Sequence, residues 1–455
     1  MKFNFIGEMS ELINGIEILS RELNFQLGED GIPVRVEKTF DNIMVCLNNG
    51  SGSIGYCEKI HFFRALGLFI EEMQEKDNFE LVELPQFSMN GAMFDASRNA
   101  VLKVERIKQL MRKMALMGLN TVMMYTEDTY AIEGKPYFGY MRGRYSYEEL
   151  KECDDYAEIF GIEMIPCIQT LSHLTQALKW NCFDDIKDTG DILLAGNEKT
   201  YDFIEEMIKA ASAPFRSNRI HIGMDEAHNI GLGKYLDING YRRRFDILNE
   251  HIKRVLEITA CHGLNAMIWS DMYFRLASKT GFYYDLDAAI AEDVIQDAPK
   301  NVQLVYWDYY HKEEEIYKEF IIRHKRFGSS PIFAGGLWTW TGMSISYGKA
   351  FVATNAALNV CKEEGIKEVF AAMVVDDGAE TNLYSALLGL QLYAEHGYSK
   401  KLDMDKLRRR FKFCTGGDLQ SFMDLRYLDE TPGTADDNYF DFNPSKFLLW
   451  QDILL

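Results

Sequence analysis

The chain has 455 residues, more than one small core needs, and its 47% hydrophobic and 26% charged content is that of a globular protein. A net charge of −20 excludes a protein built to track nucleic-acid phosphates or to lie on an anionic membrane. Eight cysteines occur singly, with no CxxC pair and no Cys/His spacing suited to zinc, so neither a metal nor another cofactor is expected.

The first residues, "MKFNFIGEMS", lack an apolar signal core, and no run is long enough to span a bilayer. With unpaired cysteines, this points to the cytoplasm. Residues 1–84 read as a small α/β unit. "PVRVEK" and "NIMVCL" are strands, "NNGSGSIGY" a Gly/Ser loop, and "KIHFFRALGLFIEEM" an amphipathic helix. "ELPQFS" around Pro85 is a linker.

Residues 85–398 follow a different pattern. Apolar strands alternate with helices eight times. The strands are "GAMFDAS", "TVMMYT", "EMIPCIQT", "RIHIGMDE", "NAMIWSDM", "VQLVYWDYY", "PIFAGGLW" and "EVFAAMVVDD". After the first, Val104, Ile107, Leu110, Met111, Met114 and Met117 share one helical face, and Gly118 stands at its end. Continuous apolar strands indicate a parallel sheet covered by helices. Eight units predict a (β/α)8 barrel, with a doubly wound open sheet as the alternative. Residues 399–455 read as a helical segment, either a tail or a truncated third domain.

Chemistry in such a barrel sits at the C-terminal strand ends. Those ends supply Asp95 and Arg98; Tyr125, Glu127 and Asp128; His173; Asp225 and Glu226, with His228 beyond; Trp269 and Asp271; Tyr306, Trp307, Asp308 and Tyr309; Trp338 and Trp340; and Asp376, Asp377 and Glu380. Five of six tryptophans fall near this rim, Trp180 in the third-strand insertion among them, and only Trp450 lies elsewhere. Aromatic walls with interspersed carboxylates suit a sugar, whose ring faces are apolar and whose hydroxyls need acceptors. Arg98 is the only guanidinium so placed, which disfavours a phosphorylated substrate.

The fourth strand ends in two adjacent acids. Neighbours on a strand point to opposite faces, so both face one ligand only if the chain leaves the strand there. Two close carboxylates cannot both ionise freely; one pKa is expected to rise, leaving one anion and one acid. The competing reading is that Asp225 caps the next segment while Glu226 is solvated.

"HIGMDE" resembles the His-x-Gly-x-Asp-Glu signature of glycoside hydrolase family 20, the β-N-acetylhexosaminidases. "FDASRN" resembles the family's first-strand arginine motif, "MIPCIQTLSH" its third-strand Pro-Glu-Ile-Asp-x-Pro-Gly-His, and "IWSDM" its fifth-strand tryptophan motif. The resemblance runs to about residue 400 and includes the small domain before the barrel. It implies removal of a terminal β-linked GlcNAc or GalNAc with retention, by substrate-assisted hydrolysis. Asp225 would orient the acetamido N–H, and Glu226 would act as acid and then base. Arg98 would bind ring hydroxyls. Trp269, Trp307 and Trp338 would wall the acetamido pocket. Tyr309, ahead of Tyr306, would donate to the acetamido oxygen. Asp377 or Glu380 would take the O4/O6 side, and His173 would stand behind the pair.

The chain departs from the pattern at several positions. Met224 replaces a glycine before the pair, Gln169 and Ser172 depart from the third-strand motif, and "YTED" stands where many members carry His-x-x-Asp-Asp. "MVVDDGAE" lacks a tryptophan expected near the eighth strand. Two rivals remain: a metal-dependent barrel enzyme, although no strand-end lysine serves as an enolase-type base, and a catalytically silent carbohydrate-binding barrel.

Overall fold

The computed structural model describes residues 1–375, 380–431 and 433–436. Asp376, Asp377 and the last residues, including Trp450, lie outside the described set.

The N-terminal unit is a six-stranded sheet: β1 (Lys2–Gly7), β2 (Gln26–Leu27), β3 (Ile32–Lys38), β4 (Ile43–Asn48), β5 (Ser51–Tyr56) and β6 (Phe79–Glu83). Its order is β2-β1-β3-β5-β4-β6, with β4 antiparallel to both neighbours. The expected Gly/Ser loop is mostly strand. Only Asn49 and Gly50 turn, both at positive φ (49° and 77°), as a tight two-residue hairpin requires. Ser51–Tyr56 then pairs as β5. Gly52 is needed there, because a Cβ would lie 2.5 Å from the Phe69 ring.

Phe69 belongs to the helix Lys59–Glu72, buried from Ile60 through Ile70. One side packs on β4 and β5 and the other on the barrel helix Val104–Met117. That barrel helix stops at Gly118 (φ 83°), where the sequence puts its stop signal.

Eight parallel strands close the barrel: β7 (Met89–Asp95), β8 (Thr121–Thr126), β9 (Glu163–Ile168), β10 (Arg219–His221), β11 (Asn265–Trp269), β12 (Gln303–Trp307), β13 (Ile332–Gly336) and β14 (Glu368–Met373). Strand β14 pairs with β7, which excludes the open-sheet alternative. The fourth strand is shorter than expected: regular strand ends at His221, Ile222 and Gly223 still bond β11 (Ile222 N–H to the Met267 carbonyl, 2.9 Å; Trp269 N–H to the Gly223 carbonyl, 3.1 Å), and the chain turns away after them.

The helix Leu387–Tyr398 is buried along its whole length and packs on β7 and β14. The helix Met404–Thr415 lies against it. A buried charge cluster ties these parts together. Arg64 donates to both Glu83 oxygens (2.5 and 2.9 Å), to Glu395 (3.1 Å) and to the Met117 carbonyl (2.7 Å). Lys406 completes it, 2.6 Å from Glu83 and 3.5 Å from Glu395. Among the described residues no helix is long and apolar enough to cross a membrane.

Candidate active site

The early end of β10 explains how two adjacent acids face one space. Gly223, Met224 and Glu226 all take left-handed backbone conformations (φ 70°, 77° and 53°). The strand alternation is thereby broken, and both carboxylates turn into the cleft. Gly223 has no room for a side chain: a Cβ would lie 2.1 Å from Gln169 Oε1. Gln169 accepts the Met224 N–H (3.1 Å) and donates to Asp225 Oδ1 (2.8 Å) and to the Tyr125 hydroxyl (3.1 Å). The Ser172 hydroxyl donates to the Asp225 carbonyl. Both departures on the third strand therefore brace the pair.

His173, itself at φ 55°, does not stand behind the acids as expected. It lines the cleft between them, its Nε2 3.2 Å from Asp225 Oδ2 and 3.3 Å from Glu226 Oε2. The other Glu226 oxygen accepts the Tyr283 hydroxyl, and the Glu226 backbone N–H donates to Asp271 (3.0 Å).

These contacts set the charges. Burial opposes ionisation of Asp225, but the His173 charge and the hydrogen bonds from His173 and Gln169 outweigh it and hold Asp225 at about 2. Burial likewise opposes protonation of His173. The Asp225 charge and the contacts with both acids prevail, and His173 is held well above the ordinary histidine value. The expectation that proximity raises Glu226 is not met. Burial raises it, the His173 contact lowers it, Asp225 raises it again, and with Tyr283 the balance falls below the ordinary glutamate value. The carboxyl in contact with the pair that is pushed up is Asp271, to about 8, by burial and then by the charge of Asp225; burial also raises Glu127 and Asp128.

Among the described residues Arg98 contacts Asp95 (3.0 Å), Glu127 (3.3 Å) and the Tyr125 hydroxyl (3.3 Å). Arg98, Tyr125, His173, Asp225, Glu226, Trp269, Trp307, Tyr309, Tyr310 and Trp340 line one cleft, over Met93 and Val374. Tyr309 reaches the cleft, whereas Tyr306 is buried and donates to Asp308 (2.7 Å).

Trp338 does not wall the cleft as expected. Its indole N–H donates to the Tyr309 carbonyl (3.1 Å), and its ring stacks behind Trp340 at 4.8 Å. Trp340 is the ring that faces the ligand space. Glu380 is half-buried and outside this lining, and Asp377 lies outside the described residues. Tyr283 and Tyr310 were not singled out from sequence. Tyr283 sits in a loop with no strand-end position to flag it. Tyr310 follows Tyr309 directly and was legible only as part of "YWDYY".

A closed parallel barrel with an acid pair, a braced arginine and aromatic walls at its C-terminal face has the make-up of an enzyme that cleaves glycosidic bonds. The model of the glycosyl hydrolase family 20 catalytic domain matches residues 87–319, just over half of the chain, and that of the glycoside hydrolase 20C C-terminal domain matches residues 420–455. The chain belongs to glycosyl hydrolase family 20.

Among similar proteins, hexosaminidase D of Homo sapiens is 25% identical over 146 residues, covering 30% of this chain and 29% of that protein. A probable beta-hexosaminidase of Arthroderma benhamiae is 26% identical over 228 residues, covering 43% and 37%. The matches thus span about a third of these relatives. A mutant Streptomyces plicatus beta-hexosaminidase, solved in complex with product (GlcNAc), superposes with a TM-score of 0.68 at 15% identity, covering 95% of this chain and 92% of that one. The beta-N-acetylhexosaminidase of Bacteroides fragilis gives 0.62 at 15% identity, covering 94% and 89%. These likenesses establish the shared fold.

Proposed function

We propose that the chain is an exo-acting β-N-acetylhexosaminidase. It removes terminal β-linked GlcNAc or GalNAc with retention, through an oxazolinium ion formed by the substrate's own acetamido group. One observation carries the reading: Asp225, held ionised by Gln169 and His173, stands beside Glu226 in an aromatic cleft. A fixed anion there orients the acetamido N–H and stabilises the positive charge that grows as the carbonyl oxygen attacks the anomeric carbon. The departing glycosidic oxygen takes a proton from Glu226. Water then attacks the oxazolinium and returns a proton to Glu226. The proton of the free site rests on His173, in contact with Glu226 Oε2, and passes to Glu226 as substrate arrives. Arg98 holds ring hydroxyls, while Trp269, Trp307, Trp340 and Tyr309 supply the apolar walls.

Hydrolysis of p-nitrophenyl β-GlcNAc and β-GalNAc tests this. Wild type turns over at least one of them, a thiazoline mimic of the oxazolinium inhibits, and NMR finds the β-anomer released first. Asp225→Asn lowers kcat by about 10²–10³-fold, the scale for loss of one charge-stabilising group. Release of the α-anomer overturns the acetamido route.

One observation favours a metal-dependent rival: His173, Asp225 and Glu226 lie close enough together to hold a cation. Activity that survives exhaustive chelation eliminates that rival. We also propose a reducing, cytoplasmic location, supported by eight unpaired cysteines; recovery of the native protein in a membrane or secreted fraction contradicts it.

A further inference from the structure

Asp271 is fully buried, two residues past the end of β11, and no cation pairs with it among the described contacts. A buried acid without a counter-charge is costly to keep. One oxygen accepts the Glu226 backbone N–H at 3.0 Å. The other has no hydrogen-bond partner, although the Trp307 indole stands near it. The accepted N–H belongs to a non-glycine residue at φ 53°, a conformation that persists only where the surroundings impose it. The next contact outward is the Glu226 carboxylate itself, held by Tyr283 and His173.

We propose that Asp271 is a positioning residue for the acid/base Glu226: its carboxyl clamps the Glu226 backbone in the left-handed conformation that aims the side chain at the leaving-group oxygen. This rests on the hydrolase reading above. Burial, with Asp225 nearby, pushes Asp271 up toward the neutral acid, so the role proposed for it is that of a hydrogen-bond acceptor rather than a charge. Asparagine is then its nearest mimic, since the amide oxygen still accepts. Leucine has nearly the same shape and accepts nothing.

The test is dependence on the leaving group. A dinitrophenyl aglycone departs with little protonic help, whereas methylumbelliferyl and alkyl aglycones need the acid. We expect Asp271→Leu to lower kcat on the methylumbelliferyl substrate by about 10²-fold, the lower range for general-acid catalysis, and on the dinitrophenyl substrate by only a few-fold. Affinity for the thiazoline inhibitor stays within a few-fold of wild type. Asp271→Asn restores most of the loss on the poor leaving group. Equal losses on both substrates, or an Asn variant as impaired as Leu, overturn the proposal. If the Leu variant does not fold, Asp271→Ala is read by the same ratio. Failure of the wild type on every aryl N-acetylhexosaminide sinks the hydrolase reading instead, so the two failures are distinct.

Discussion

On the proposed mechanism, Glu226 and His173 share one proton in the free site. His173 holds it because Asp225 favours the imidazolium, and Glu226 stays ionised because His173 and Tyr283 contact its oxygens. The pair therefore titrates as a unit, with macroscopic limits at each end. A second proton enters only below the lowered Glu226 value, and the last one leaves only above the raised His173 value. Activity requiring one proton on the pair spans that window. In His173→Asn only Glu226 carries the proton. It is then lost from a carboxyl, ordinarily a stronger acid than an imidazolium, even though burial and Asp225 raise it. The alkaline limb of kcat/KM should move to lower pH, and pH–rate profiles on an aryl substrate measure this. An alkaline limb that stays in place would show that His173 does not hold the working proton.

At the scale of the element, the segment after β10 trades regularity for aim. Met224 adopts φ 77°, at a cost of about 1–2 kcal/mol for a residue with a Cβ. Glycine would relieve that strain. The Met224 side chain, however, is only 1% exposed, and deleting a buried methionine costs about 2–5 kcal/mol. Packing should win: we expect Met224→Gly to lose about 1–3 kcal/mol in denaturant unfolding, and a gain in stability would show that strain dominates. The glycine expected before the acid pair was a backbone requirement, and this chain meets it with a strained residue anchored by burial. The sequence alone made that position conspicuous without revealing its φ. The same limit applies to the β4–β5 hairpin. "NNGSGSIGY" reads as a loop because glycine and serine are poor strand formers. Only the Phe69 ring over Gly52 shows why small residues form a strand there.

Across the whole molecule, the Arg64 cluster joins the N-terminal sheet, the last barrel helix and the helix Met404–Thr415. Replacing Arg64 by methionine leaves Glu83 and Glu395 buried with Lys406 as the remaining cation among the described contacts and Gln391 as a neutral donor to Glu395. The expected loss is about 3–5 kcal/mol in denaturant unfolding. The pH sign follows from Glu83. Burial raises its pKa, but the charges of Arg64 and Lys406 prevail and hold it at about 2, below an ordinary value of 4.5. Its stabilisation is thus complete above the unfolded value and lost as pH falls toward 2. In Arg64→Met the loss begins at higher pH, so acid unfolding should start earlier. Coincident acid transitions for the two proteins would argue against the cluster as the joint.

By itself the sequence determined what is local. Eight apolar runs separated by helices dictate a barrel, and the acids, arginine and aromatics at the run ends mark its working face. Asp225, Glu226, Arg98, Trp269, Trp307 and Tyr309 all fall there because strand ends are legible from hydrophobic pattern alone. Only the tertiary structure decided which groups meet. His173 enters between the acids, Tyr283 reaches in from a loop, and Trp340 takes the wall with Trp338 behind it. The opposed pKa shifts, upward at His173 and Asp271 and downward at Glu226, also arise only there. The reason is physical: convergence depends on where each chain segment leaves its strand. Protonation depends on burial and charge contributed by neighbours distant in sequence, and no spacing within one segment encodes those.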